Sequence, residues 1–185
     1  MVKTLILPGW QNSGSLHWQS LWEADYGYQR VQQHDWERPL RGDWITRLED
    51  VILAVPAEQG VSLVAHSLGC ILIAAWASVS RHTHRVSSAF MVAPGDVERD
   101  DVRGMLPSWS PIARQTLPFD TQLVASQDDP FCSFERAAGL AHAWGSALQD
   151  VGARGHINTD SGLGRWPQGH DMLMKLQQLS RPARR

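Results

Sequence analysis

The stretch Val61-Ser62-Leu63-Val64-Ala65-His66-Ser67-Leu68-Gly69-Cys70-Ile71-Leu72-Ile73-Ala74-Ala75-Trp76 passes from an apolar, β-rich segment into a mostly apolar helical one without a linker. Val61 to Ala65 predicts a buried strand and Cys70 to Ser80 a buried helix. A serine at such a junction is held on a sharp turn, its hydroxyl exposed at the carboxyl edge of the sheet. The turn needs small residues two before and two after the serine, because larger side chains collide with the neighbouring strand and helix. Here they are Ala65 and Gly69. The helix that follows supplies its positive end and unpaired amides, which makes the Leu68 N–H a candidate donor to an oxyanion formed beside Ser67. A serine that merely caps a buried helix fits the same short pattern.

Outward from this junction, short β-rich runs alternate with segments of helical period, which predicts a parallel sheet with helices on both faces. The expected strands are Lys3 to Leu7, Tyr28 to Gln32, Val61 to Ala65, Ala89 to Val92, Gln122 to Ala125 and Leu148 to Val151. A first helix is expected to start near Ser13 or Ser15. Asp43 is expected to cap a second, whose Trp44, Ile45, Leu48, Val51, Ile52 and Val55 form one apolar stripe. Two more are predicted at Phe134 to Trp144, capped by Ser133 and ended by Gly145, and at Gln168 to Leu179. Between Val92 and Gln122 there is room for short helices near Pro107 to Arg114, not for a lid.

The chain has 185 residues, 43% of them hydrophobic and 19% charged, which predicts one domain over residues 1–180 with residues 181–185 as a frayed basic tail. Net charge is −2 with no basic stripe, so nucleic acid is not an expected partner. The apolar run before Pro8 is too short for a signal-peptide core or a membrane span, giving a cytoplasmic expectation and no membrane partner. Two cysteines, Cys70 and Cys132, are too few for a disulfide framework and lack C-x-x-C spacing; they read as reduced, buried thiols. His82-x-His84 has no third ligand in view, so no metal is expected.

A nucleophilic serine needs a base, and the base an orienting carboxylate, in the chain order Ser, Asp, His for this kind of sheet. After the fifth strand comes Ser126-Gln127-Asp128-Asp129-Pro130, where Asp129 is the first candidate and Asp128 the second. After the last strand, Gly155-His156 opens a loop from which an imidazole can swing over the sheet edge. His66 would point away from the nucleophile and reads as structural or pocket-lining. His17, on the first helix, is a candidate substrate contact, although its position also suits the surface. The second oxyanion donor is expected from Pro8-Gly9-Trp10-Gln11-Asn12-Ser13-Gly14, with the Trp10 N–H as candidate and Gln11 beside it. Nine tryptophans are many for this length; Trp10, Trp18, Trp109 and Trp166 either wall an apolar pocket or pack in the core.

Leu7-Pro8-Gly9-Trp10, His17-Trp18, Ala65-His66-Ser67-Leu68-Gly69-Cys70, Asp128-Asp129-Pro130-Phe131 and Gly155-His156-Ile157-Asn158 together resemble the retinoblastoma-binding protein 9 family of small α/β-hydrolases. Ser161-Gly162-Leu163-Gly164-Arg165-Trp166-Pro167-Gln168-Gly169 is similar to its bacterial branch of small serine hydrolases. The resemblance runs from about residue 3 to residue 179. It implies a minimal α/β-hydrolase fold without a lid domain and a triad of Ser67, Asp129 and His156, in agreement with the preference for Asp129. Members of the family commonly have glycine where this chain has Ala65. The L-x-C-x-E motif associated with retinoblastoma-protein binding has only a partial counterpart, Leu68-Gly69-Cys70-Ile71-Leu72, which lacks the glutamate, so that partner is not expected.

These observations predict a serine hydrolase without cofactor, acting on a small ester, thioester or amide. Two other classes share the same residues: a binding module that keeps the hydrolase core without catalysis, and an acyltransferase in which an alcohol or amine replaces water.

Overall fold

The computed structural model describes residues 2–180; the predicted tail at 181–185 lies outside the described residues. Six strands, β1 (Lys3–Leu7), β2 (Gln29–Arg30), β3 (Val61–Ser67), β4 (Val86–Pro94), β5 (Asp120–Ala125) and β6 (Ala147–Asp150), form one sheet in the order β2-β1-β3-β4-β5-β6. Every pairing is parallel. The helices are α1 (Trp18–Tyr26), α2 (Arg41–Ala54), α3 (Leu68–Ala77), α4 (Asp100–Arg103), α5 (Phe134–Trp144) and α6 (Pro167–Leu179).

Side chains alternate across a strand, and this chain fills both faces with apolar ones. On one face, Leu5, Leu7, Leu63, Ala65, Met91 and Leu123 pack against α2, α3 and α5. On the other, Ile6, Val64, Phe90, Val92 and Val124 pack against Trp18 and Trp22 of α1 and Leu173 and Leu176 of α6. The central strands β3 and β4 are almost wholly buried, which is why they read as continuous hydrophobic runs. This is the α/β-hydrolase arrangement. The connection from β4 to β5 carries only α4 and a 3-10 turn at Pro107–Trp109, with no lid domain.

Strand ends shift by up to three residues from the sequence reading, and three helices depart from it in ways that have a physical reason. Helix α1 begins at Trp18, not near Ser13 or Ser15, because His17 is the cap: its Nδ1 accepts from the Gln19 N–H at 3.1 Å. The Ser13 hydroxyl is engaged instead with the Gln19 side chain at 2.7 Å. Helix α2 starts at Arg41 after Leu40, which makes no side-chain cap; Asp43 lies in the first turn, where its negative charge suits the helix dipole. Helix α4, over Asp100-Asp101-Val102-Arg103, has no apolar period to announce it.

Both cysteines are free and buried, and burial pushes the Cys132 thiol up to about 12 and the Cys70 thiol higher still. No helix among the described residues is long and apolar enough to cross a membrane.

Candidate active site

The turn from β3 into α3 puts Ser67 at φ 54° and ψ −120°, a left-handed conformation that costs a non-glycine residue about 1–3 kcal/mol. Two glycines make the turn possible. A Cβ on Gly69 would lie 2.3 Å from the Leu7 carbonyl oxygen, so only glycine lets α3 approach β1 this closely. One on Gly9 would lie 2.7 Å from the Ser67 Cβ, so the loop after β1 rests directly on the elbow. Ala65, fully buried between Leu7 and Met91 on the neighbouring strands, fits with its methyl group in the core.

The His156 Nε2 lies 2.9 Å from the Ser67 Oγ. Its Nδ1 lies 2.9 Å from both carboxylate oxygens of Asp129, whose side chain is 3% exposed. A carboxylate accepts only, so Nδ1 carries the proton of the neutral ring and Nε2 is free to accept from the serine hydroxyl. These three residues come from the ends of β3, β5 and β6, and the structure brings them into one line of hydrogen bonds.

Four side chains from other elements hold the loop that carries His156. Trp18 donates from Nε1 to the Ile157 carbonyl at 2.8 Å, and Ser126 accepts from the Arg154 N–H at 2.8 Å. Asp128 accepts from the Gly155 N–H at 2.7 Å and from the Ser126 hydroxyl at 2.8 Å. Those two bonds, the amide first, hold the Asp128 carboxyl below its usual range. Its partners are therefore the Gly155 N–H and the Ser126 hydroxyl, and of the two aspartates Asp129 alone reaches the imidazole. His66 supplies the fourth contact, from Nε2 to the His156 carbonyl oxygen. Sequence reasoning reads His66 as structural or pocket-lining but does not name its partner, because nothing in a local motif tells that a side chain will meet main chain 90 residues away.

A cavity of about 530 Å³ opens over Ser67 and His156. Trp10 and Gln11 line it from the loop after β1; the Trp10 indole is fixed by donating to the Glu37 carbonyl at 2.9 Å. Phe131, half-exposed, lies against the His156 ring with centroids 4.6 Å apart and was not among the sequence candidates.

His17 also lines the cavity, but it is 4% exposed rather than a surface residue. Burial, with Arg30 and His156 nearby, lowers its pKa to about 3. Since Nδ1 accepts from Gln19, Nε2 carries the proton, and it has no acceptor among the described residues. His66 is likewise held neutral, chiefly by burial.

Trp18 and Trp166, expected as substrate contacts, are 1% and 5% exposed and line no part of this cavity. They pack on each other and on Trp22 beneath it, because the indole of each fills the gap between α1, α6 and the sheet. Trp109 is fully buried on the opposite face and donates to the Pro39 carbonyl. Of the four pocket tryptophans considered, only Trp10 lies at the cavity.

A serine hydrolase family model matches residues 4–175. The chain belongs to the serine hydrolase family. Among solved structures, this serine hydrolase is similar to a protein described as a YdeN-like hydrolase from Pectobacterium atrosepticum, with 30% identity over 98% of this chain and 94% of the other and a TM-score of 0.85. It is also similar to the ydeN gene product of B. subtilis, at 21% identity over 96% and 100% of the two chains and a TM-score of 0.74. Est1E from Butyrivibrio proteoclasticus, solved with ferulic acid bound, shares the fold at 11% identity over 96% and 90% and a TM-score of 0.69. No curated protein matches. The small bacterial branch of the resemblance is thereby shown, though not the vertebrate name.

Proposed function

We propose that this serine hydrolase cleaves a small carboxylic ester, thioester or amide through an acyl-enzyme on Ser67. His156 takes the hydroxyl proton at Nε2 as Oγ attacks the carbonyl carbon. Asp129 steadies the imidazolium through Nδ1. The Leu68 and Trp10 N–H groups hold the oxyanion, each donor contributing about 10²- to 10³-fold in rate. His156 then passes the proton to the leaving oxygen, sulfur or nitrogen as the carbon–heteroatom bond breaks. Water, deprotonated by the same imidazole, attacks the acyl-enzyme; the acid leaves and Ser67 regains its proton.

The observation that carries this reading is the unbroken chain Ser67 Oγ, His156 Nε2, His156 Nδ1, Asp129, with 2.9 Å at each junction. The deciding experiment is labelling of wild type and Ser67→Ala by a fluorophosphonate, with turnover of short-chain esters alongside. Wild type is expected to label and turn over, and Ser67→Ala to do neither. Equal labelling of the two proteins, or labelling of neither, rejects the nucleophile.

A further inference from the structure

Resting on Ser67 as nucleophile, we propose that the cavity selects an uncharged hydrocarbon acyl group, seated against the segment from Val97 to Leu106, and discriminates against acyl groups with an anionic end. Three observations point this way. Four of the six residues by which this segment lines the cavity are apolar: Val97 and Leu106 are buried in the cluster that includes Leu68, Val102 is packed against that cluster beside Trp10, and Met105 lies further out. At the mouth, Met105 and Phe131 are 56% and 49% exposed, which extends this hydrocarbon surface outward. The charges on the cavity oppose an anion. Asp96, Asp101 and Asp160 line it with Arg99 as the one non-histidine cation among the described residues; Asp96 is paired with Arg136 and Asp101 with Arg99, which leaves Asp160 as the carboxylate without an ion pair there.

Arg99 is already committed. It donates from Nε and Nη2 to Asp101, at 3.0 and 2.7 Å, and from Nη1 to the Pro130 carbonyl. His17 and His66 supply no positive charge near neutral pH, since burial keeps both neutral. A carboxylate entering this space loses water and meets no free counter-charge, which is costly for any anion. A methylene seated on the same wall gains roughly fourfold in affinity from its burial.

The test compares the p-nitrophenyl ester of hexanoic acid with the mono-p-nitrophenyl ester of adipic acid, which differ only in replacing the terminal methyl by carboxylate. Spontaneous hydrolysis is subtracted from each. Wild type is expected to favour hexanoate by at least 100-fold in kcat/KM, and Val102→Lys to narrow that ratio at least tenfold by supplying a counter-charge. Met105→Lys, at an exposed position, gives the same readout if Val102→Lys does not fold. An adipate ester turned over within threefold of hexanoate, lysine variants that leave the ratio unchanged, or a wild type that labels with the fluorophosphonate yet leaves hexanoate intact would overturn the selectivity. Turnover that survives Ser67→Ala overturns instead the nucleophile on which the inference rests.

Discussion

The imidazole of His66 donates from Nε2 to the carbonyl of His156 at 2.8 Å, so the residue that precedes Ser67 also holds the main chain of His156. The carbonyl can only accept, which fixes the His66 tautomer. The two rings lie with centroids 4.8 Å apart, and the His17 and His66 rings lie 4.7 Å apart.

Removing that donor while keeping the bulk, as in His66→Phe, is expected to lower kcat by about 10- to 100-fold, the scale of a base misplaced by a fraction of an ångström to an ångström. KM should change little, since the cavity wall stays filled. Steady-state kinetics on a short-chain ester separates the two; a rise in KM at unchanged kcat would show that His66 contacts substrate instead.

The two neighbouring aspartates should respond differently to the same change. Asp129→Asn is expected to cut ester turnover by about 10⁴-fold, because an amide can stabilise the wrong imidazole tautomer. Asp128→Asn should have a small effect, since an amide oxygen still accepts from the Gly155 N–H. Asp128→Ala, which leaves that amide and the Ser126 hydroxyl without their acceptor, should fall between the two. Parallel kcat/KM measurements on the three variants check the order.

Trp166→Ala is expected to cost about 3–5 kcal/mol of stability, the usual penalty for emptying a large aromatic site in a core. Urea denaturation reads the loss. A variant of near-native stability with an altered KM would return Trp166 to the substrate pocket.

Acid should destabilise the protein partly through His17. Its folded pKa of about 3 lies below the ordinary histidine value of 6.5. Between those two pH values the unfolded chain takes up a proton that the folded chain refuses, so stability falls as pH drops through this window. The contribution approaches about 1.4 kcal/mol per pH unit. His17→Asn keeps an acceptor for the Gln19 N–H and removes the titration. Its Tm should therefore decline less steeply than that of wild type from pH 6.5 to 4.

Much of this was legible because it depends on local pattern. The apolar runs of β3 and α3 and the small residues at 65 and 69 are properties of neighbours in the chain, and the order of Ser67, Asp129 and His156 can be read along it without knowing their contacts. The sequence reading prefers Asp129 to Asp128; in the structure Asp128 meets the Gly155 N–H and the Ser126 hydroxyl, and Asp129 meets the His156 ring. Less accessible was the fate of the aromatic residues. Trp18 and Trp166 carry the same composition signal whether they face a ligand or each other, and only the packing of α1 on α6 decides it. The cap of α1 was misassigned because a histidine there competed with two serines that ordinarily win such positions.

The bond from the Trp18 indole to the Ile157 carbonyl spans 139 positions of sequence. The turn that holds Ser67 is built from neighbours in the chain, yet the loop that carries His156 is not anchored until residues this far apart have met. Ester turnover would thus serve as a readout of completed folding, because the line from Ser67 to His156 needs that long-range bond to be made.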